Sequence, residues 1–155
     1  MGTGNAGRKA EKWIGFIVLT VAAGLIYRVP YLKTVFYDSL VETFGMSNTD
    51  VGTIMSAYSI TKTIIYIPGG ILADRFDNRK MLLGSTALMV ICTFWYATIP
   101  SIAMLMVIQI LLALSNVLFW VSFIKAIRMF GSENEQGSIF GYSEGIRAVA
   151  GLLIN

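Results

Sequence analysis

The chain has 155 residues and a net charge of +3, and 55% of its residues are hydrophobic while only 14% are charged. Soluble domains carry about 25% charged residues, so the composition argues against a water-soluble domain and predicts an all-α membrane protein with several spans. Histidine is absent and Cys92 is the only cysteine, which excludes an internal disulfide, a histidine base and a His/Cys metal site. We therefore expect no catalytic residue, no metal, no cofactor and no enzyme activity, and no nucleic-acid partner.

Five helices are predicted after a polar N-terminal tail. The tail comprises residues 1–12, and the apolar sequence from Trp13 predicts a first helix that is retained rather than cleaved. Residues 81–99 and 102–124 contain no charge, and each run exceeds the roughly 18 residues that indicate a spanning helix. The chain is still apolar where it stops, so we expect the N-terminal part of a longer protein. The predicted helices cover about 13–40, 50–73, 80–98, 101–130 and 135–155.

The basic residues predict the direction of the chain in the membrane. They cluster in the tail, between the second and third helices, and at the end of the fourth helix, whereas the connections on the other side are acidic or uncharged. Cytoplasmic loops carry the excess of Lys and Arg. We therefore predict a multi-pass protein of the cell membrane with its N-terminus in the cytoplasm.

The most specific pattern lies between the second and third predicted helices, over Gly70-Ile-Leu-Ala-Asp74-Arg75-Phe-Asp-Asn-Arg79-Lys80. Gly69 and Gly70 lack side chains where the second helix is expected to pack closely on a neighbour. Asp74 lies at the C-terminal end of that helix, where the helix dipole disfavours an anion. It therefore needs cationic partners, and the candidates are Arg75, Arg79 and Arg128.

This pattern resembles the signature G-x-L-A-D-R-x-G-R-R/K between the second and third helices of the major facilitator superfamily. The resemblance implies helices 1–5 of a six-helix half, truncated before the C-terminal half of the same transporter. It also implies alternating access, with the charged cluster acting as a latch that holds one state. The gating residues implied in this way are Gly70, Asp74, Arg75, Arg79 and Lys80, with Arg128 as a candidate partner.

The sequence departs from the family pattern at two places. Asp77 stands where the family has a glycine, and Asn78 stands where it has a basic residue, so the latch is expected to be weaker or differently partnered. The fourth-helix motif R-x-x-x-G is not visible, and Ile108, Gln109 and Ala113 stand in the region where it would be expected. A proton-coupled mechanism therefore does not follow from the resemblance.

Charged residues within the predicted spans are the candidates for solute binding, because an ionisable group in the membrane is costly. Lys62 precedes Asp74 by 12 residues, or roughly 18 Å of helix, which is near the middle of the bilayer. Arg28 follows Trp13 by 15 residues, or roughly 22 Å. Arg28 could instead reach the outer headgroups, and that alternative stays open.

The fifth predicted helix adds an acid, a base and a stripe of glycines. Glu144 and Arg147 have the i,i+3 spacing of a helical pair, and they could be a coupling site or a structural ion pair. With Arg28 and Lys62 they make three positive charges and one negative charge, which predicts a cavity that attracts anions. Small residues at four-residue spacing let helices approach closely, and the partner of this stripe can lie outside the chain. The stripe consists of Gly137, Gly141 and Gly145.

Polar uncharged groups complete the predicted solute site. Asn116 lies in the middle of the fourth helix, where an amide seeks a partner or a ligand, and Gln109 and Trp120 fall near the same face. Tyr31 offers a hydroxyl on an apolar body. We predict that Arg28, Lys62, Tyr31 and Asn116 bind the solute.

The function predicted is secondary transport of a small anionic solute, by rocking of two halves about a midplane site. Arg28 after Tyr27, the Tyr31-Leu32 pair and Lys62 look similar to the organic-anion and sugar-phosphate branch of the superfamily. One alternative is a facilitator-family exporter of neutral or lipophilic compounds, in which the charges only hold helices together. Another is a small oligomeric channel or scaffold. The expected partners are an organic anion, the lipid bilayer and the C-terminal half of the transporter.

Overall fold

A computed structural model describes residues 3–28 and 37–152 of the chain. Within these residues there are six α-helices and no strand, which confirms the predicted all-α fold. A short 3-10 helix, Glu133–Glu135, precedes the last of them. The helices are α1 (Thr3–Arg28), α2 (Tyr37–Phe44), α3 (Asn48–Arg75), α4 (Asn78–Tyr96), α5 (Ile102–Arg128) and α6 (Gln136–Leu152).

The largest differences from the predicted boundaries lie at the N-terminus. Helix α1 begins at Thr3, so most of the segment 1–12 that was predicted as a tail is helical. Its last five residues, Arg-Lys-Ala-Glu-Lys, are good helix formers. The described part of α1 extends to Arg28, and the continuation of the first helix toward residue 40 stays a prediction. Residues 29–36, and with them Tyr31, lie outside the described residues.

Helix α5 is the most apolar element. Among the described residues it is the one helix that passes a test of length and hydropathy for crossing a membrane, with a mean hydropathy of 2.4 over 18 residues. The other long helices contain more Gly, Ser, Thr and charged residues. Their spans remain predictions.

The chain divides into two compact units, of which the first comprises Met1–Leu25 and Phe123–Asn155. In this unit Trp13 meets Tyr142 edge to face, with ring centroids 6.4 Å apart. Further along both helices, a Cβ built on Gly24 would lie 3.5 Å from the Ala150 Cβ. The two contacts follow the same direction in α1 and α6, so these helices pack in parallel.

The second unit comprises Ile26–Ser122. Its inner cluster combines side chains from α3, α4 and α5, and a second cluster lies where these helices meet α2. The first turn of α3 has a capping box, in which Ser47 and Asp50 each satisfy a backbone N–H of the other. The inner cluster consists of Tyr58, Met89, Cys92, Ile108, Leu112 and Ala113.

The two adjacent glycines of α3 differ in their surroundings. A Cβ on Gly69 would lie 2.9 Å from Val117 Cγ1 of α5, so the expected close approach exists at that residue. A Cβ on Gly70 would meet no atom of the described residues within 4 Å. The close packing expected at Gly70 is not found among the described residues, because one step along a helix turns the side-chain position by about 100°.

Candidate functional site

The signature between α3 and α4 forms a short charged junction. Asp74 and Arg75 end α3, while Arg79 and Lys80 lie in the first turn of α4, and only Phe76 and Asp77 connect the helices. All four charged side chains are exposed. The junction therefore brings one carboxylate and three cations of the predicted gate to the same end of two neighbouring helices.

Asp77, which replaces the glycine of the family pattern, caps α4. Its carboxylate accepts a hydrogen bond from the backbone N–H of Lys80 at 3.0 Å, and its own backbone is extended. Aspartate is among the best residues for this position, because it satisfies an N–H group that the helix leaves unpaired. The departure at Asp77 thus has a local structural reason.

Arg128, the remaining candidate of the gate, is the last residue of α5 and is exposed. It belongs to the first unit, whereas Asp74 belongs to the second. The pairing of Asp74 with Arg128 stays a prediction.

Lys62 lies in the middle of α3, and its side chain is partly buried. Its Nζ lies 5.8 Å from the centroid of the Tyr58 ring, within the range of a cation–π interaction. Tyr58 is itself only 4% exposed and belongs to the inner cluster. The ammonium group therefore sits at the edge of a packed core rather than at a helix end. Arg28 is the last residue of α1, and the position of its side chain is outside the description.

Two amides lie on one buried face of α5. Gln109 is 2% exposed and Asn116 is 4% exposed, and their spacing of seven residues is two helical turns. The Gln109 Oε1 atom has no hydrogen-bond partner in the described part of the chain. By contrast, the Ser115 hydroxyl donates to the Ser85 carbonyl at 2.6 Å.

Gln109 is a candidate that the predicted binding set omitted. A buried acceptor without a partner costs about 1–3 kcal/mol, so its oxygen is suited to accept a hydrogen bond from a solute or a water. The signal in the sequence was the seven-residue spacing of Gln109 and Asn116, the two amides in an uncharged run. That spacing placed Gln109 near the same face but did not show that its oxygen lacks a partner.

Glu144 and Arg147 form an ion pair on α6, with Arg147 Nη1 donating to Glu144 Oε1 at 2.5 Å. The arginine side chain is 13% exposed and the carboxylate side chain 66% exposed. The pairing that the spacing allowed is therefore present. It neutralises the two charges of α6, and the coupling role stays a prediction.

The glycine stripe of α6 faces open space in the described part of the chain. A Cβ at each of its three positions would meet no atom within 4 Å. Val149, the next position of the series, is 57% exposed. No described helix packs against the stripe.

Comparison with known proteins extends the resemblance to nearly the whole chain. The Major Facilitator Superfamily profile matches residues 13–154. The inner membrane protein YqcE of Escherichia coli K12 is 33% identical over 140 residues, which is 90% of this chain and 33% of that protein. The inner membrane protein YihN of the same organism is 26% identical over 145 residues, or 93% of this chain and 34% of that protein.

A third relative is an uncharacterized MFS-type transporter of Bacillus subtilis, YvkA. It is 25% identical over 132 residues, covering 85% of this chain and 30% of that protein. The chain thus spans about a third of the length of these three relatives. No solved structure matches it.

The profile match covers the charged junction, Lys62 and the two amides of α5. It agrees with the order of the helices and with the signature at the α3–α4 junction. The chain therefore belongs to the Major Facilitator Superfamily of membrane transport proteins.

Proposed function

We propose that this chain provides helices of the N-terminal half of a secondary transporter for a small anionic solute. The observation that carries the proposal is Lys62, a partly buried cation in the middle of α3 beside the Tyr58 ring. Such a charge is expensive in a membrane unless it serves a ligand or a partner. No carboxylate is paired with Lys62 in the described residues, which supports an anion as its ligand.

The solute site would combine this cation with hydrogen-bonding groups. Asn116 and Gln109 supply amides from α5, and Arg28 and Tyr31 would add a second cation and a hydroxyl from the first helix region. The solute class proposed from these groups is an organic anion, as in the organic-anion and sugar-phosphate branch. The C-terminal half of the transporter would complete the site from the other side.

The gate would be the charged junction between α3 and α4. Asp74, with cations from Arg75, Arg79 and Arg128, would hold one alternating-access state and release in the other. Gly70 and Lys80 complete this group. The open space beside Gly70 leaves room for another part of the transporter to approach α3 there. Glu144, paired with Arg147, would be the group that couples transport to protons.

The test is solute uptake by the full-length protein in proteoliposomes, with carboxylate and phosphorylated solutes as the panel. Lys62→Gln should lower uptake of the preferred anion by about tenfold or more, since a hydrogen bond to a charged group contributes about 1.5–3 kcal/mol. Lys62→Arg should retain most of the uptake, because the charge is kept.

Thr63→Val is the matched control on the same helix. The Thr63 hydroxyl donates to the Ser59 carbonyl of its own helix at 3.0 Å, so its loss should leave uptake within about twofold. Unchanged anion uptake in both Lys62→Gln and Arg28→Gln would overturn the proposed site. Uptake of neutral or lipophilic compounds by those variants would point to the exporter instead.

A further inference from the structure

A groove of about 250 Å³ lies on the surface of the second unit, between α4 and the C-terminal end of α1. Val90 is 49% exposed and Phe94 72% exposed, so the groove opens to the outside of the helices. None of the residues that line it belongs to the predicted solute site. Its lining consists of Ile26, Thr86, Met89, Val90, Thr93 and Phe94.

The groove offers no free hydroxyl donor to a ligand. The Thr86 hydroxyl donates to the Leu82 carbonyl at 2.7 Å, and the Thr93 hydroxyl donates to the Met89 carbonyl at 2.8 Å. Both threonines therefore use their hydrogens within α4 and present methyl groups to the groove. A polar group of a ligand would lose its hydrogen bonds to water there without gaining new ones. A hydrocarbon chain has no such hydrogen bonds to lose.

A cation lies on the same face of α4, at its N-terminal end. Arg79 precedes Thr86 by 7 residues and Thr93 by 14 residues, which are two and four turns at about 3.6 residues per turn. Its guanidinium is exposed and has no ion pair with a described carboxylate. Lys80, one residue further on, points about 100° away from this face.

We propose that an anionic glycerophospholipid binds along this face, with its phosphate on Arg79 and an acyl chain in the groove. Arginine binds phosphate through two parallel hydrogen bonds, and anionic leaflets attract basic groups at the membrane surface. The apolar groove and the exposed Arg79 guanidinium thus match the two ends of one lipid.

The distances fit a single leaflet. Thr86 lies roughly 10 Å and Thr93 roughly 21 Å from Arg79 along the helix. The headgroup layer is about 5–7 Å thick and the hydrocarbon of one leaflet about 15 Å. A lipid whose phosphate contacts Arg79 therefore places its acyl chain at the depth of the groove.

The experiment uses the full-length protein in nanodiscs that contain phosphatidylglycerol and phosphatidylcholine in equal amounts. Native mass spectrometry counts the lipid that stays bound, and a phosphatidylglycerol with a diazirine in the middle of its acyl chain marks the contact. We expect one retained phosphatidylglycerol and cross-links on the α4 peptide around Val90 and Phe94. Arg79→Gln should lower retention about tenfold, while Lys80→Gln, which removes the same charge from a different face, should change it less than twofold.

A second pair of variants tests the groove itself. Val90→Trp adds bulk over the groove and should abolish the cross-link, whereas Ile91→Trp, at a position that is 62% exposed and does not line the groove, should not. Equal cross-linking in these two variants would overturn the acyl-chain site. Equal retention of phosphatidylcholine, with no effect of Arg79→Gln, would overturn the phosphate site. Size-exclusion profiles check that each variant is folded, and neither result depends on transport of an anion.

Discussion

At the scale of single residues, Gly69 acts through the side chain that it lacks. Helix α3 passes α5 so closely there that a methyl group would press on Val117, a branched side chain that is fully buried and has little freedom to move. Gly70, the glycine that belongs to the family signature, has no described neighbour within 4 Å of the position of a Cβ. The packing role and the signature therefore belong to different residues.

We predict that Gly69→Ala lowers the free energy of unfolding by about 1–3 kcal/mol, since overpacking a tight contact forces neighbours to shift. Gly70→Ala is the matched control and should be neutral or stabilising by up to about 1 kcal/mol, because alanine is the better helix former. The measurement is thermal or denaturant unfolding of the full-length protein in detergent. Equal effects of the two substitutions would contradict the close approach of α3 and α5.

Asp77 is the second residue whose role is local. Asp77→Ala should destabilise the start of α4 by about 0.5–2 kcal/mol, because the Lys80 N–H loses its acceptor. Asp77→Ser should retain most of the stability, and Asp77→Gly, which restores the family residue, should cost only a few tenths of a kcal/mol. Thermal or denaturant unfolding of the full-length protein in detergent measures the stability of all three Asp77 variants. A loss in Asp77→Ser as large as in Asp77→Ala would contradict the cap.

At the scale of elements, the helix starts are fixed by side chains in the connections. Ser47 with Asp50 starts α3, and Asp77 starts α4. Before α6, both the hydroxyl and the backbone N–H of Ser132 donate to Glu135, at 2.7 Å and 3.1 Å. These bonds lower the pKa of the Glu135 carboxyl, and the Lys12 charge lowers it further by a smaller amount.

This cap should make the α5–α6 connection sensitive to acid. Because the pKa of Glu135 is lower in the folded state than its usual value of 4.5, its bonds stabilise the fold above that pH and are lost as the pH falls through the folded pKa. We expect Glu135→Gln to reduce the loss of thermal stability between pH 7 and pH 3 relative to the wild type. Glu133→Gln, two residues earlier, is the control. The same pH dependence in wild type and Glu135→Gln would contradict this prediction.

At the scale of the whole molecule, the chain is about a third of its relatives' length. The positive-inside pattern predicts that the α3–α4 and α5–α6 connections face the cytoplasm and that the α4–α5 connection faces outward. Asn134 and Ser101 are exposed in the two opposite connections.

A membrane-impermeant maleimide should therefore label Ser101→Cys in intact cells that express the full-length protein without its native cysteines. Asn134→Cys should be labelled only after the cells are opened. Labelling is read as a mass shift on a gel. The reverse labelling pattern would show that the orientation is opposite to the predicted one. The predicted depth of Lys62, near the middle of the bilayer, would be the same in either orientation.

Several features could be predicted from the sequence because they depend on local spacing. Long apolar runs predict the helical class. The i,i+3 spacing predicts the Glu144–Arg147 ion pair, because it places the two side chains about one helical turn apart. The charged junction follows from the order of residues between two runs. Family membership was also visible there, since the signature is contiguous in the chain.

Other features depend on the rotation of a side chain about its helix axis or on neighbours that are distant in the chain. Only the tertiary structure decided these features. Among the described residues, it assigned the close approach to Gly69 instead of Gly70, and it buried the Gln109 oxygen without a partner. It also assembled the groove of α4 from Ile26 and residues about sixty positions away. The sequence by itself determined the class, the family and the positions of the charges. Only packing determined which of these groups meet another helix and which face open space, because a shift of one residue turns a side chain by about 100°.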